Sequence, residues 1–275
     1  MKHTYNEIEL GAEKPFTILH ITDVHLTHTG IRDSFALHRL AKKRSKRYTH
    51  SENVLNKAST LAKEKNALIV NTGDMTDFFS YKNLKYVKKF TENNDCFFVN
   101  GNHDFRPFGG MEYDVPESME KNLEKVQSAY KNSIRFSSKV INGINIVGID
   151  NAYYRFTEEH FNSLKNEVAK GMPIILFMHV PLYGKDIYDL IVKGKRKHAS
   201  LVSVPEELMK EYPDDRFKQQ IADETTRTVT EYIKNEPLIK LVVCGHLHKS
   251  FETVLDGKLP QYMTGIDEIR EIRVK

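Results

Sequence analysis

Six short apolar runs in this chain each close on a residue that can coordinate a cation or transfer a proton. They are I-L-H-I-T-D-V-H (Ile18 to His25), A-L-I-V-N-T-G-D (Ala67 to Asp74), F-F-V-N-G-N-H-D (Phe97 to Asp104), I-N-I-V-G-I-D (Ile144 to Asp150), P-I-I-L-F-M-H (Pro173 to His179) and L-V-V-C-G-H-L-H (Leu241 to His248). Runs this short, rich in β-branched and aromatic residues, read as buried strands rather than helices. In open α/β sheets ligands lie beyond the carboxyl ends of the strands, so these endings are placed to converge on one crevice.

The segments between the runs supply the crossovers that parallel strands require. Helical spacing of Phe35, Leu37, Leu40 and Ala41 predicts a helix within Asp33 to Tyr48, and Tyr81 to Phe90 predicts another. Ser51 is expected to cap a helix whose stripe is Val54, Leu55, Ala58, Leu61 and Ala62; Pro116 is expected near a helix start and Thr157 at a cap. Tyr262 to Thr264 and Ile269 to Val274 read as final strands. With 275 residues, 40% of them hydrophobic, the chain is long enough for one large domain over 15–275, carrying insertions at about 105–137 and 182–237. Residues 1–14 are polar and are set apart as an N-terminal extension.

Charge excludes little. The balance of 41 basic to 37 acidic residues, a net of +4, is too even to imply nucleic acid and is compatible with an anionic substrate. Two basic runs stand out: Lys42, Lys43, Arg44, Lys46 and Arg47, and Lys193, Lys195, Arg196 and Lys197. The first reads as a solvated helix face, with phosphate or nucleic acid as the alternative contact. The two cysteines, Cys96 and Cys244, fall in or beside apolar runs and read as buried free thiols. The first ten residues lack the apolar core of a signal peptide, and no apolar run approaches the ~20 residues needed to cross a bilayer. A cytoplasmic protein without a membrane partner is expected.

Asp23 and His25 lie two residues apart, and in extended chain such positions face the same side, a suitable spacing for two ligands of one ion. Taken singly, an Asp after a strand is a turn residue and a His after a strand is satisfied structure. Their conjunction reads differently. The ordered set D-x-H, G-D-x-x-D, G-N-H-D, a later His and G-H-x-H, spanning Asp23 to His248, resembles the calcineurin-like metallophosphoesterase family. That resemblance adds the two-sheet β-sandwich core flanked by helices to the α/β reading, with the two insertions mainly helical.

The resemblance also implies roles. Asp23, His25 and His248 would hold one ion, Asn102, His179 and His246 a second, and Asp74 would bridge them. Oxygen and imidazole donors without thiolate suit two divalent or trivalent ions of Mn, Fe or Zn. The family's reaction is attack on phosphorus by a metal-bridging hydroxide, with His103 as acid and Asp77 orienting it. Asp104 is expected to brace its loop. Thr76, Asp77, Phe78 and Asp104 depart from the protein serine/threonine phosphatase pattern, and no tyrosine follows Asp74 as in purple acid phosphatases. The remaining resemblance is to bacterial phosphodiesterases and phosphohydrolases acting on a small phosphoester, nucleotides included. A phosphomonoesterase or a nuclease of the same family is the alternative, and a non-catalytic scaffold on this fold is the rival from another class. Phe105, Arg106, Phe108 and Tyr183 read as either substrate contacts or packing, whereas His3, His20, His28, His38, His50, His160 and His198 read as structural.

Overall fold

The computed structural model describes residues 1–110, 112, 114–194 and 197–275. Lys195 and Arg196 of the second basic run lie outside the described residues. Two sheets form the centre. One runs β1-β11-β2-β3-β4, built from Lys2–Ile8 (β1), Glu268–Val274 (β11), Phe16–Ile21 (β2), Leu68–Thr72 (β3) and Cys96–Val99 (β4). The other runs β5-β6-β7-β8-β10-β9, built from Phe136–Ile141 (β5), Ile144–Ile149 (β6), Ile174–Phe177 (β7), Ile239–Cys244 (β8), Leu259–Met263 (β10) and Phe251–Leu255 (β9). The strands β2, β3 and β4 are mutually parallel, as are β6, β7, β8 and β10.

The apolar runs are continuous because both of their faces are covered. Along β2, β3 and β4, Ile18, Leu68, Val70, Phe97 and Val99 pack between the sheets against Ile144, Ile146, Ile175, Phe177, Leu241 and Val243. The alternate residues Leu19, Ile21, Ile69 and Phe98 face outward, under helices Ser51–Lys65 (α2) and Tyr81–Glu92 (α3), which bury Val54, Leu55, Leu61, Leu84, Val87 and Phe90 against them. On the far side Val147, Ile149, Leu176, Met178 and Val242 pack beneath helices Glu158–Val168 (α5) and Glu224–Asn235 (α9). The result is helix, sheet, sheet, helix.

Helix Phe35–Ser45 (α1) follows the first strand-end loop, and Pro116–Gln127 (α4) begins at its proline as expected. The second insertion is largely helical, with Lys185–Ile187 (α6), a π-turn at Tyr188–Val192, Glu206–Met209 (α7) and Asp214–Gln220 (α8) ahead of α9. Thr157 caps α5 by accepting from the His160 amide. Ser51 does not cap α2. His50 occupies that position, and the buried Ser51 hydroxyl instead donates to the Val24 carbonyl at 2.5 Å, tying α2 to the loop between Asp23 and His25. The first 14 residues contribute β1, which pairs in parallel with β11 from Lys2 to Ile8. Cys96 and Cys244 are buried free thiols. Among the described residues no helix is long and apolar enough to cross a membrane.

His20 shows how the sandwich interior treats a polar group. The imidazole is fully buried, with Nδ1 2.6 Å from Thr264 Oγ1 and Nε2 2.8 Å from Thr72 Oγ1. A neutral ring satisfies both contacts, one nitrogen donating and the other accepting. Burial, assisted by Arg270 and opposed by Asp23, pushes its pKa from 6.5 down to about 3. The unfolded chain therefore binds the proton first, so this stability is fully present above about pH 6.5 and drains away as the pH falls toward 3. By pH 5 the loss amounts to roughly 2 kcal/mol, at about 1.4 kcal/mol per pH unit. We expect the difference in unfolding free energy between the native chain and His20→Gln to fall by that amount between pH 7 and pH 5, as measured by urea titration.

Candidate metal centre

The carboxyl ends of β2, β3, β4, β7 and β8 open onto one crevice, and the loop after each carries the residues singled out above. These loops bond to one another: the Asp23 amide donates to the Gly73 carbonyl at 3.1 Å, and the His25 amide to the Asp74 carbonyl at 2.8 Å. Asp23 and His25 do not converge through extended backbone, as their spacing had suggested. Both adopt left-handed conformations with φ of 52°, and Asp74, His246 and His248 do the same at 51°, 68° and 57°. Strained backbone of this kind collects at functional sites because the surrounding structure must enforce it. Gly73 permits a close backbone approach: its φ is +95°, and a Cβ there would lie 2.3 Å from the Gly101 amide nitrogen.

Two sets of side chains meet at Asp74. In the first, Asp23 Oδ1 is 3.1 Å from His248 Nε2, and His25 Nε2 is 3.0 Å from His248 Nε2 and 3.7 Å from Asp74 Oδ2. Ligand atoms of Asp23, His25, Asp74 and His248 all fall within 4.8 Å of one another. In the second, His179 Nε2 is 3.1 Å from Asn102 Oδ1, 3.1 Å from His246 Nδ1 and 3.5 Å from Asp74 Oδ2. All seven expected ligands are thus brought together, with one Asp74 oxygen between the groups. These donors fit cations. Asp23 Oδ1 is fully buried against the His248 imidazole, and facing imidazole nitrogens as close as those of His25 and His248 need a proton or a metal between them. No thiolate intrudes, since Cys244 Sγ points to the Tyr262 carbonyl, 3.6 Å away.

The charges reinforce this reading. Burial raises the Asp23 and Asp74 carboxyls, but the neighbouring imidazoles outweigh it and hold both below the usual range. Burial lowers His179, yet Asp74 and Asp23 lift it to about 9; His25, where burial prevails, falls to about 4. Asp104 rises to about 6 through burial and the charge of Asp74. It braces its loop as expected, accepting from the amides of Asp74, Thr76 and Gly101 at 3.0, 2.9 and 2.9 Å.

His103 sits beside this cage, 13% exposed, with Nε2 3.9 Å from Asp74 Oδ2. Its Nδ1 lies 3.0 Å from the Asp77 carbonyl and 3.2 Å from Asp77 Oδ1, two acceptors that favour a proton on Nδ1 against the single donor nearby, Arg106 Nη1 at 3.2 Å. The Asp77 carboxylate is shared more widely than the sequence suggested. It is bound two-fold by Arg44 at 2.5 and 2.6 Å and lies 3.1 Å from His25 Nδ1. Although burial raises the Asp77 carboxyl, these partners, Arg44 foremost, depress it strongly. Arg44 is therefore not part of a solvated helix face. Tyr48 lies against the same group, stacked on His25 at 4.2 Å and 16° and accepting from Arg44 at 3.1 Å.

Other supports had no signature in the sequence. Asp114 accepts from Asn102 Nδ2 at 3.0 Å, directing the amide oxygen toward His179, and is itself gripped by both arms of Arg106. Tyr154, another left-handed residue, places its hydroxyl 3.0 Å from His246 Nε2, so that Nδ1 faces His179. These residues lie eight or more positions from their partners, beyond the reach of local pattern. Of the aromatic residues expected either to touch substrate or to pack, Phe105 is buried beneath α3 and α4, Phe108 packs near Leu37 and Phe78, and Tyr183 packs on the outer core. A cavity of about 480 Å³ lies over the cage, lined by Arg44, Arg47, Arg106, Tyr154 and His198 among others. His198, read from sequence as structural, thus faces the site.

A family model described as calcineurin-like phosphoesterase matches residues 16–250. No curated protein sequence matches the chain. Among solved structures, a dimetal phosphatase from Danio rerio is similar with a TM-score of 0.51 and 12% identity, covering 91% of this chain and 88% of its own. A purple acid phosphatase from yellow lupin (Lupinus luteus) seeds matches with a TM-score of 0.51 and 10% identity, covering 92% of this chain and 44% of its own. At these identities the likeness concerns the fold.

The Arg106–Asp114 pair gives a test of how the rim is held. Both side chains are nearly excluded from solvent, at 7% and 5% exposure. Removing one partner leaves a buried charge uncompensated, at a cost of about 3–5 kcal/mol. Arg106→Ala and Asp114→Ala should each lower unfolding free energy by that amount in urea titrations, while the Arg106→Met, Asp114→Leu double variant should lose markedly less than the sum.

Proposed function

The chain belongs to the calcineurin-like phosphoesterase family, whose members are metal-dependent phosphoester hydrolases, and on that premise we propose that it is a dinuclear phosphodiesterase. Asp23, His25 and His248 would hold one ion and Asn102, His179 and His246 the other, with Asp74 shared. The observation that carries this reading is the position of Asp74 Oδ2, 3.7 Å from His25 on one side and 3.5 Å from His179 on the other. When bound, two Mn, Fe or Zn ions supply neutralisation of the phosphate oxygens and a water acidic enough to ionise near neutral pH.

The protein's own groups do the rest. Asp77 holds one proton on His103 Nδ1, and in the doubly protonated ring Nε2, the nitrogen facing the cage, carries the second, which it delivers to the departing oxygen, leaving the neutral imidazole. Asp114 and Tyr154 orient Asn102 and His246, the outer partners that keep ligand atoms aimed inward. The preference for a diester rests on charge. Arg44 and Arg106, the cations beside His103, are already neutralised by Asp77 and Asp114, so next to the cage they add no free charge beyond that of the ions for the extra negative charge of a monoester, which favours a phosphate bearing one negative charge. The substrate would be a small phosphoester, nucleotides included.

Asp74→Asn should lose both bound metal, measured by elemental analysis, and turnover. His103→Asn should keep its metal and lose about 100-fold or more in rate, most severely with poor leaving groups. With Mn, Fe or Zn supplied, bis-p-nitrophenyl phosphate should be hydrolysed faster than p-nitrophenyl phosphate, and a chelator should stop both reactions. Turnover of the monoester alone would overturn the diesterase assignment.

A further inference from the structure

We infer that the mouth of the cavity holds a second anion-binding subsite centred on Arg47, fitted to a phosphoester that carries another negative group beyond the scissile phosphorus. The inference rests on the phosphoesterase reading above and extends it to the substrate's class. Among the described residues three guanidinium groups line the cavity over the cage, those of Arg44, Arg47 and Arg106. Two are spent: Arg44 is bound two-fold to Asp77, and Arg106 two-fold to Asp114. Arg47 is exposed and forms no ion pair among the described residues, so its charge reaches the cavity uncompensated.

The side chain is nonetheless positioned. Its Cζ lies 5.5 Å from the centroid of the Tyr48 ring, a cation–π contact. That ring cannot swing away, because it is buried and stacked on His25 at 4.2 Å. Tyr48 thus joins the cage to the arginine: one imidazole of the proposed metal set packs against the same ring that carries Arg47. The helix before it, F-A-L-H-R-L-A-K-K-R-S, contains no acidic residue, so nothing along α1 competes for the guanidinium. A planar, permanently charged fork suits a phosphate or carboxylate oxygen pair. Exposed Lys42, Lys43 and Lys46 add positive potential that favours the approach of such a ligand.

The test compares thymidine 5′-phosphate with thymidine 3′,5′-bisphosphate, which differ by one terminal anion, in titration calorimetry on the Mn-loaded protein. We expect the bisphosphate to bind about tenfold more tightly. In Arg47→Gln that ratio should collapse to near one, and Arg47→Lys should restore part of it. Added salt should reduce the ratio, as expected for an exposed charge. Equal affinity of the two nucleotides for the native protein would overturn the subsite alone. A loss in Arg47→Gln shared equally by both ligands would overturn it too, because it would assign the arginine a structural role. Failure of both nucleotides to bind would overturn the phosphoesterase reading together with this inference.

Discussion

The placement of Asp74 is the constraint to which the rest of the site conforms. Its amide donates to Asp104, its Oδ1 accepts from the His103 amide at 2.8 Å, and only Oδ2 remains turned toward His25 and His179. A carboxylate buried so completely, with Asp23 and Asp104 close by, is costly unless positive charge faces it. The imidazoles contribute part of that charge, and a pair of cations would contribute the remainder. The main-chain bonds between loops hold these acids together whatever occupies the space between them.

Much of this was legible in the chain itself. The strands β2, β3, β4, β6, β7 and β8 are covered on both faces, so each appears as an unbroken apolar run, and their polar endings mark where the sheets open. The edge strands left a weaker trace. β1, K-H-T-Y-N-E-I, is largely solvent-facing, and β9, F-E-T-V-L, buries only alternate residues. Neither accumulates enough hydrophobicity to stand out; β1 is stabilised by a neighbour distant in sequence, β11, and β9 by its hairpin partner β10. Ser51 illustrates a local rule overridden by tertiary structure, its hydroxyl drawn from the helix end to the Val24 carbonyl.

The ligand set was readable because each member sits in a short motif, whereas the groups that aim those ligands sit in none. Arg44 meets Asp77 across 33 positions and Tyr154 meets His246 across 92. The insertions also turned out to be joined. Gln219, on α8 of the second, donates to the Asp114 carbonyl of the first at 3.0 Å, while Asp114 aims Asn102. Elements that looked like decoration around the domain therefore bear on the geometry at its centre.

The left-handed residues around Asp74 carry a consequence for the history of such a chain. Five of the seven inward-facing donors occupy backbone conformations that glycine or asparagine would adopt at lower cost, and two of them, Asp23 and Asp74, are acids crowded in a dry space. Replacing one of them relieves both burdens, so a copy released from selection on hydrolysis would gain robustness as it shed its donors.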